Sequence, residues 1–347
     1  MREKMKESKS IFNRKESFRW ISRSIETAVG SLPQISSKLS LKDLFDSFKF
    51  RLGIGRMKYT VPPGLYGVGK PNPESPVFVS ANFKLSFDKL RKSLKEIDSW
   101  LLVLDTKGIN VWCSAAKGSF SEEELKRQIL KTKLTEIVSH RTLILPQLAA
   151  VGISAPKVMK LTGFKAIFGP VRASQIPEYL KAGMKASSKM RLVRFNLLDR
   201  LVLIPVEILN ILKPLLLLFG VLFLLGFFKL KILSLRAFFP YLGAILVGIV
   251  LVPLFLPWIP GRYFSLKGWL LGALYALGLS FYQKSLTQIL IYFLLLPSIS
   301  AFFALNFTGS STYTSLSGVL KEIRISFPLI IISLSLGLIL AVFSLLF

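Results

Sequence analysis

The only thiol in this 347-residue chain is Cys113, set in the run GINVWCSAAKG at positions 108–118. A thiolate is a nucleophile and a ligand for soft metal ions. From spacing alone two readings stand. A free cysteine is among the most often buried residue types and commonly packs as a small hydrophobe. Three features point instead to a presented ligand. Ser114, Ala115, Ala116 and Gly118 are small enough to let a flat surface approach. Trp112 offers an apolar plate and Asn110 an amide beside the thiol. The run also follows a predicted strand. No Cys–His or Ser–His–Asp pairing occurs locally, so hydrolase chemistry has no support. His140 is the only histidine, which rules out a two-histidine metal site within one chain. It falls between a predicted helix and strand, where capping helix carbonyls is the ordinary role. One cysteine also excludes an intramolecular disulfide and a self-contained iron–sulfur cluster.

The elements that position this thiol alternate in type over residues 77–195. The apolar run VFVSANF precedes helical SFDKLRKSLKE, and WLLVLDT precedes the cysteine segment. Ser121 and Glu124 then cap EEELKRQILKTKL. TLILPQL precedes SAPKVMKLTG, FKAIFGP precedes SQIPEYLKAGM, and RLVRF is read as a closing strand. Short apolar strands separated by helices of 10–15 residues predict βαβ units and a parallel, Rossmann-like α/β sheet. In such sheets ligands bind beyond the carboxyl ends of the strands, where Asp105, Thr106 and the cysteine segment fall.

Composition divides the chain. It carries a formal charge of +27 with 52% hydrophobic residues, and its mean hydropathy is +0.53. Residues 1–200 hold a net charge of +20 and residues 201–347 only +7. The first part reads as a soluble basic domain and the second as membrane. Five runs are long enough to cross about 30 Å of hydrocarbon. They are Ile204–Phe228, Ala237–Ile259, Leu266–Tyr282, Leu286–Phe307 and Ile325–Phe347. All follow a 200-residue domain, so none reads as a cleaved secretory signal. Lys185, Lys189, Arg191, Arg194 and Arg200 crowd the start of the first span, which predicts a cytoplasmic N-terminal domain on a multi-pass inner-membrane protein. The expected organisation is an extension over 1–55, an α/β domain over 56–200 and an all-α transmembrane domain of five helices over 201–347.

In the extension, Leu41, Leu44, Phe45, Phe48 and Leu52 share one helical face, and Ser40 with Asp43 makes a capping box. Phe18, Ile21 and Ile25 form a weaker stripe beside Arg14, Lys15, Arg19 and Arg23. A partly disordered basic tail and a helix lying on anionic lipid are both open readings. A membrane-tethered chain makes lipid, not nucleic acid, the expected counter-charge. GLYGVGKP at 64–71 imitates a phosphate-binding loop. It lacks the Ser/Thr that would hold magnesium, and the PNPESP that follows cannot open the helix that would hold phosphate.

The run NVWCSAAK at Asn110–Lys117 resembles the signature Asn-(Val/Ile)-Trp-Cys-Ala-(Ala/Gly)-Gly-Lys of the mercury-methylating corrinoid proteins, the HgcA family. The likeness extends from about Arg56 to the end through PPGLYGVGKPNPESPVFVSANFKLSFDKLR, LLVLDTKGINVWC, HRTLILPQL, GPVRAS, DRLVLIPVE and NFTGSSTYTSLSGVLKE. The soluble part is also similar, more distantly, to the corrinoid-binding part of the corrinoid iron–sulfur protein of acetyl-CoA synthesis. Ser114 and Ala116 depart from the signature, where the family has Ala and Gly. The added methyl of Ala116 costs about 1 kcal/mol if that position needs positive φ.

The resemblance implies a cobalamin-type corrinoid whose cobalt takes Cys113 thiolate as its lower axial ligand. Cofactor-binding residues would be Thr106, Asn110, Val111, Trp112, Cys113, Ser114, Ala115, Ala116 and Lys117. Thr106 would donate to the corrin edge, Asn110 would fix the cap or bond a corrin amide, and Trp112 would pack the cap. The implied activity is a corrinoid-dependent methyltransferase passing methyl from methyl–cobalt(III) to Hg(II). The implied partners are a methylated pterin as donor, a ferredoxin with two 4Fe–4S clusters as reductant, and the lipid membrane. Two alternatives remain open from the residues. One is a corrinoid methyl carrier of one-carbon metabolism with a non-mercury acceptor. The other is a membrane transporter or receptor with a regulatory α/β domain and an inert core Cys113, which bound cobalt would exclude.

Overall fold

A computed structural model describes residues 18–55, 59–227, 235–310 and 313–346. The chain divides into two compact units, the first ending at Val193 and the second running from Arg194, with residues 51–53 grouped with the second.

The first unit is built on seven strands: β1 (Ile21–Thr27), β2 (Gly30–Ile35), β3 (Gly64–Val68), β4 (Val77–Ala81), β5 (Ser99–Leu104), β6 (Thr142–Leu145) and β7 (Lys165–Phe168). They lie in the order β1-β2-β3-β5-β4-β6-β7. The run β5-β4-β6-β7 is parallel throughout, whereas β3 is antiparallel to β5 and β1 to β2. Every residue of β4 and β5 is buried. Strands buried at every position need cover on both faces. One face packs on α3 (Val111–Ala116), α4 (Glu122–Thr132), α5 (Leu134–Ile137) and α6 (Ala155–Thr162) through Leu102, Leu104, Phe120, Leu125 and Phe164. The other packs on α2 (Lys84–Ser93), α7 (Ile176–Lys181) and α8 (Ser188–Arg191), where Trp20, Tyr66, Phe87, Leu101 and Tyr179 form a second core, and α1 (Leu41–Arg51) is joined to α2 through ion pairs of Asp43 with Lys84 and Arg91.

The parallel half matches the expectation from sequence; the other half departs from it. Residues 21–35, assigned to the N-terminal extension, form the hairpin β1–β2 at the sheet edge. Ile21 and Ile25 therefore sit on a strand. β-branched and short polar residues at every second position suit a pleated edge better than a helix. GLYGV, the head of the false phosphate loop, is β3, paired with β5 from Gly64↔Val103 to Val68↔Ser99. RLVRF at 191–195 is not a strand: Arg191 ends α8 and the next residues are irregular. His140 caps no helix. Its Nε2 donates to the Ser75 carbonyl at 3.0 Å and its Nδ1 accepts from Thr142 N–H at 3.2 Å, which pins the turn before β4 to the start of β6.

The second unit is helical: α9 (Leu197–Leu201), α10 (Ile204–Phe227), α11 (Leu235–Leu246), α12 (Val252–Phe255), α13 (Phe264–Ser280), α14 (Leu286–Asn306) and α15 (Leu316–Leu346). A π-helical segment, Val247–Leu251, joins α11 to α12, between Pro240 and Pro253. Among the described residues three segments are long and apolar enough to cross a membrane: Phe238–Phe255, Leu286–Gly309 and Ser317–Ser344. The sequence had predicted five. The third of those falls in α13, whose 17 residues extend only about 26 Å at 1.5 Å each. The first falls in α10, which carries Glu207, Lys213 and Pro214 in its N-terminal half, and its last residue, Phe228, lies outside the described residues. α13 and α14 touch through small residues. A Cβ on Gly268 would lie 2.6 Å from the Ala304 Cβ, and one on Gly272 would lie 2.7 Å from the Pro297 Cα. This four-residue glycine spacing lets two apolar helices approach backbone to backbone.

Candidate functional site

The chain runs from β4 out to β5 on one side, then back across to β6 on the other. That reversal of strand order makes the carboxyl edge of β5, β4 and β6 the ligand-binding crevice expected of such a sheet. The residues just past these strands are Asn82, Asp105–Gly108 and Pro146–Gly152.

Asn82, which the sequence did not single out, is the hub of this edge. Its Oδ1 accepts from Thr106 N–H at 3.1 Å and Gly108 N–H at 2.9 Å, and its Nδ2 donates to Asp105 Oδ1 at 3.2 Å. Thr106 is fully buried, and its hydroxyl donates to the Ile109 carbonyl at 2.7 Å, with Asn82 Oδ1 2.9 Å away. Together these bonds hold a tight turn in which Lys107 and Gly108 both take left-handed φ, 56° and 71°. A side-chain amide is needed because two N–H groups point at one spot and a third partner must be given a proton. The only sequence signal for Asn82 was an amide directly after a largely apolar strand.

The turn delivers the chain into α3. Asn110 is its N-cap, accepting the Cys113 N–H on Oδ1 at 2.9 Å. At about 100° per residue, Val111, Ser114 and Ala115 make one stripe, and all three are buried. Ala115 lies against the 3₁₀ helix Gln147–Val151 that follows β6. A Cβ on Gly152 would sit 2.1 Å from the Ala115 carbonyl oxygen, so only glycine allows that approach. Cys113 lies about 200° around from Val111, on the side away from the core, and is half-buried. Trp112 is half-buried, while Ala116 and Lys117 are exposed.

The nine residues singled out in the sequence therefore divide. Thr106 and Asn110 shape the turn and cap. Val111, Ser114 and Ala115 fix the helix to the sheet edge. Trp112, Cys113, Ala116 and Lys117 lie on its open side. Both departures from the family signature are accommodated. Ser114 is fully buried and its Oγ donates to the Val111 carbonyl at 3.0 Å. Ala116 is helical and exposed, and it is not among the positive-φ residues, so its methyl carries no backbone penalty.

The arrangement can present one sulfur ligand. Among the described residues no three His, Cys, Asp or Glu side chains come together as a metal cage. A metal held by Cys113 must bring its other ligands with it, as a metal in a macrocycle does.

Residues 55–180, which contain this edge, match the profile of the CO dehydrogenase/acetyl-CoA synthase delta subunit. The acetyl-CoA decarbonylase/synthase complex subunit gamma of Archaeoglobus fulgidus is 38% identical over 128 residues, covering 36% of this chain and 27% of that protein. The same subunit of Methanopyrus kandleri is 39% identical over 123 residues, 35% of this chain and 26% of that one. The corrinoid/iron-sulfur protein large subunit of Moorella thermoacetica is 33% identical over 119 residues, covering 34% and 26%. The chain spans about a quarter of the length of these relatives. The α/β unit is thus related to the corrinoid/iron–sulfur protein subunits.

Proposed function

We propose that this chain is a membrane-anchored, corrinoid-dependent methyltransferase whose acceptor is Hg(II), with Cys113 thiolate as the lower axial ligand of cobalt. One observation carries the reading. α3 turns its buried stripe to the sheet and leaves the only thiol on its open side, at the crevice where such sheets bind ligands. The names of the relatives support a corrinoid, and the NVWCSAAK signature supports mercury as acceptor.

The residues fit the group. A corrinoid fills the equatorial positions of its metal, so it asks the protein for a single axial donor, and a single donor is what α3 offers. When bound, it supplies a cobalt that can carry a methyl group. Cys113 would hold that metal as thiolate, because a metal-bound thiol is deprotonated, and a soft anionic donor suits delivery of methyl to a soft metal ion. Asn110 fixes the first turn of α3, and Asn82 with Thr106 fixes the turn before it, so the sulfur is held by rigid backbone. Ala116, three residues on and about 60° around the helix from Cys113, leaves room for a flat ligand over the sulfur.

The partners that go with this reading are a methylated pterin as methyl source and a ferredoxin with two 4Fe–4S clusters as electron source. In the proposed organisation the α/β domain, residues 56–200, lies on the cytoplasmic side and residues 201–347 cross the inner membrane five times. A second reading keeps cofactor and ligand but gives methyl to a one-carbon acceptor. It is favoured by the relatives that are subunits of acetyl-CoA decarbonylase/synthase complexes.

Purified protein loaded with corrinoid should contain about one cobalt per chain, and Cys113→Ala should shift its visible spectrum and abolish methylmercury formation from Hg(II), methylated pterin and a low-potential reductant. An unchanged spectrum in the variant rejects the axial role. Cobalt binding with methyl turnover but no methylmercury selects the second reading.

A further inference from the structure

α1 is built inside out. Its inward residues are Asp43 and Phe50, the only two it buries. Asp43 joins Lys84, Asp88 and Arg91 in a cluster of two cations and two anions. Arg91 reaches Asp43 Oδ2 at 2.9 Å and Asp88 Oδ1 at 2.7 Å, and its Nη1 donates to the Ser36 and Lys38 carbonyls at 2.6 and 2.9 Å. Lys84 Nζ bonds Asp43 Oδ1 at 3.2 Å and also contacts the Asp88 carboxylate. Phe50 packs against Tyr59, with ring centroids 4.7 Å apart. This polar anchor fixes which way the helix faces.

The opposite side is apolar and uncovered. Leu41, Leu44, Phe45 and Phe48 fall within about 100° of one another around the helix. They are 86%, 50%, 65% and 61% exposed. Lys42 and Lys49 border this stripe on one side and Arg51 on the other. Four large apolar side chains held in water are not an ordinary surface, and a contiguous patch of this kind marks a contact. An apolar stripe with cations on both flanks is the pattern of a helix lying in a headgroup layer: side chains enter the acyl boundary and lysines meet phosphates. The same chain carries three segments long and apolar enough to cross a bilayer, so on that reading the chain itself joins this unit to a lipid surface.

We propose that α1 is an interfacial helix that seats the α/β unit on the anionic membrane surface, with Leu41, Leu44, Phe45 and Phe48 as its lipid contacts and Lys42, Lys49 and Arg51 as its phosphate contacts. The inference rests on reading the C-terminal helices as membrane-spanning, and it assigns these residues a role that the corrinoid reading does not use.

The test uses the full chain in nanodiscs of phosphatidylcholine with phosphatidylglycerol. An environment-sensitive fluorophore is attached at Phe45→Cys in a Cys113→Ser background, and nitroxide-bearing lipid serves as quencher. Two further labels serve as references. Ile331→Cys lies within the candidate span Ser317–Ser344. Glu136→Cys is exposed on α5, across the sheet from α2, the helix to which α1 is ion-paired. The label at 45 should be quenched several-fold more than that at 136. That difference should shrink in discs lacking phosphatidylglycerol or when Lys42→Glu and Lys49→Glu are added. If 331 is quenched while 45 behaves like 136, the interfacial role is overturned and the membrane reading stands. If 331 is not quenched, both fall together. Disulfide-linked pairs through Phe45→Cys without quenching would mean that a second copy covers this face, which also overturns the proposal.

Discussion

At the scale of single residues, the position of Cys113 depends on its neighbours more than on itself. The thiol is free to act because Val111, Ser114 and Ala115 take the buried side of a helix only six residues long. Such a helix has too few internal hydrogen bonds to persist alone. It depends on Asn110 at its N-cap and on the turn that Asn82 holds. Replacing an N-cap of this type by alanine costs about 1 kcal/mol. Asn110→Ala should therefore leave the protein folded but weaken corrinoid affinity, by about five- to tenfold if the whole loss falls on the bound state. Equilibrium titration followed by absorbance would measure it. Asn82→Ala should do more harm, because it leaves the Thr106 and Gly108 N–H groups without their acceptor, and each such buried group costs about 1–3 kcal/mol. Thermal unfolding of the two variants should rank Asn82→Ala below Asn110→Ala; the reverse order would contradict the hub role of Asn82. Cysteine, asparagine and tryptophan were conspicuous in the sequence at 110–113. Asn82 was not, because its partners are 23 to 26 positions away and meet it only when β4 and β5 pair.

At the scale of elements, the least orthodox join is that of α1 to α2. The cluster of Asp43, Lys84, Asp88 and Arg91 is balanced in charge and almost wholly buried. A balanced buried cluster adds little net stability, but removing one member strands its partners. Asp43→Asn should destabilise the α/β unit by about 3–5 kcal/mol, read as a shifted denaturation midpoint. Burial alone would raise the Asp43 carboxyl; the Ser40 N–H, Lys84 and Arg91 outweigh it and hold the group at about 2, against 3.8 when free. A lowered carboxyl stabilises the fold at neutral pH, and that contribution is lost as the pH falls from about 4 toward 2. The loss is on the order of 2 kcal/mol. Amide exchange in α1 should accelerate over that window in the native protein and not in Asp43→Asn; equal acceleration in both would remove Asp43 as the cause. Sequence periodicity identified this helix and its apolar face correctly. It could not show that the apolar face would point outward, because the countercharges for Asp43 lie more than 40 residues further on.

At the scale of the whole molecule, the protein joins a basic α/β unit to a helical unit with three segments able to cross a membrane. In the proposed topology of five crossings from a cytoplasmic start, the 283–285 connection lies on the far side of the inner membrane. Membrane-impermeant maleimide applied to intact cells should label Ser285→Cys and spare Lys160→Cys; the opposite pattern would invert the proposed topology. That the chain changes character along its length is readable without a structure, since charge and hydropathy are additive along the chain; the structure sets the junction of its two compact units at Val193/Arg194. The parallel strands were likewise legible, because a strand covered on both faces is apolar at nearly every position, and β4 and β5 carry only one serine each. The edge hairpin, the capture of GLYGV as β3 and the side of α3 that faces the sheet were not. An edge strand is half-wet and carries a weak pattern, a glycine-rich run reads as a loop until a neighbour pairs with it, and a six-residue helix has no period long enough to measure. Local sequence could nominate Cys113 as a ligand, but only the packing of Ala115 against Gly152 and the turn around Asn82 decided that its sulfur faces away from the core.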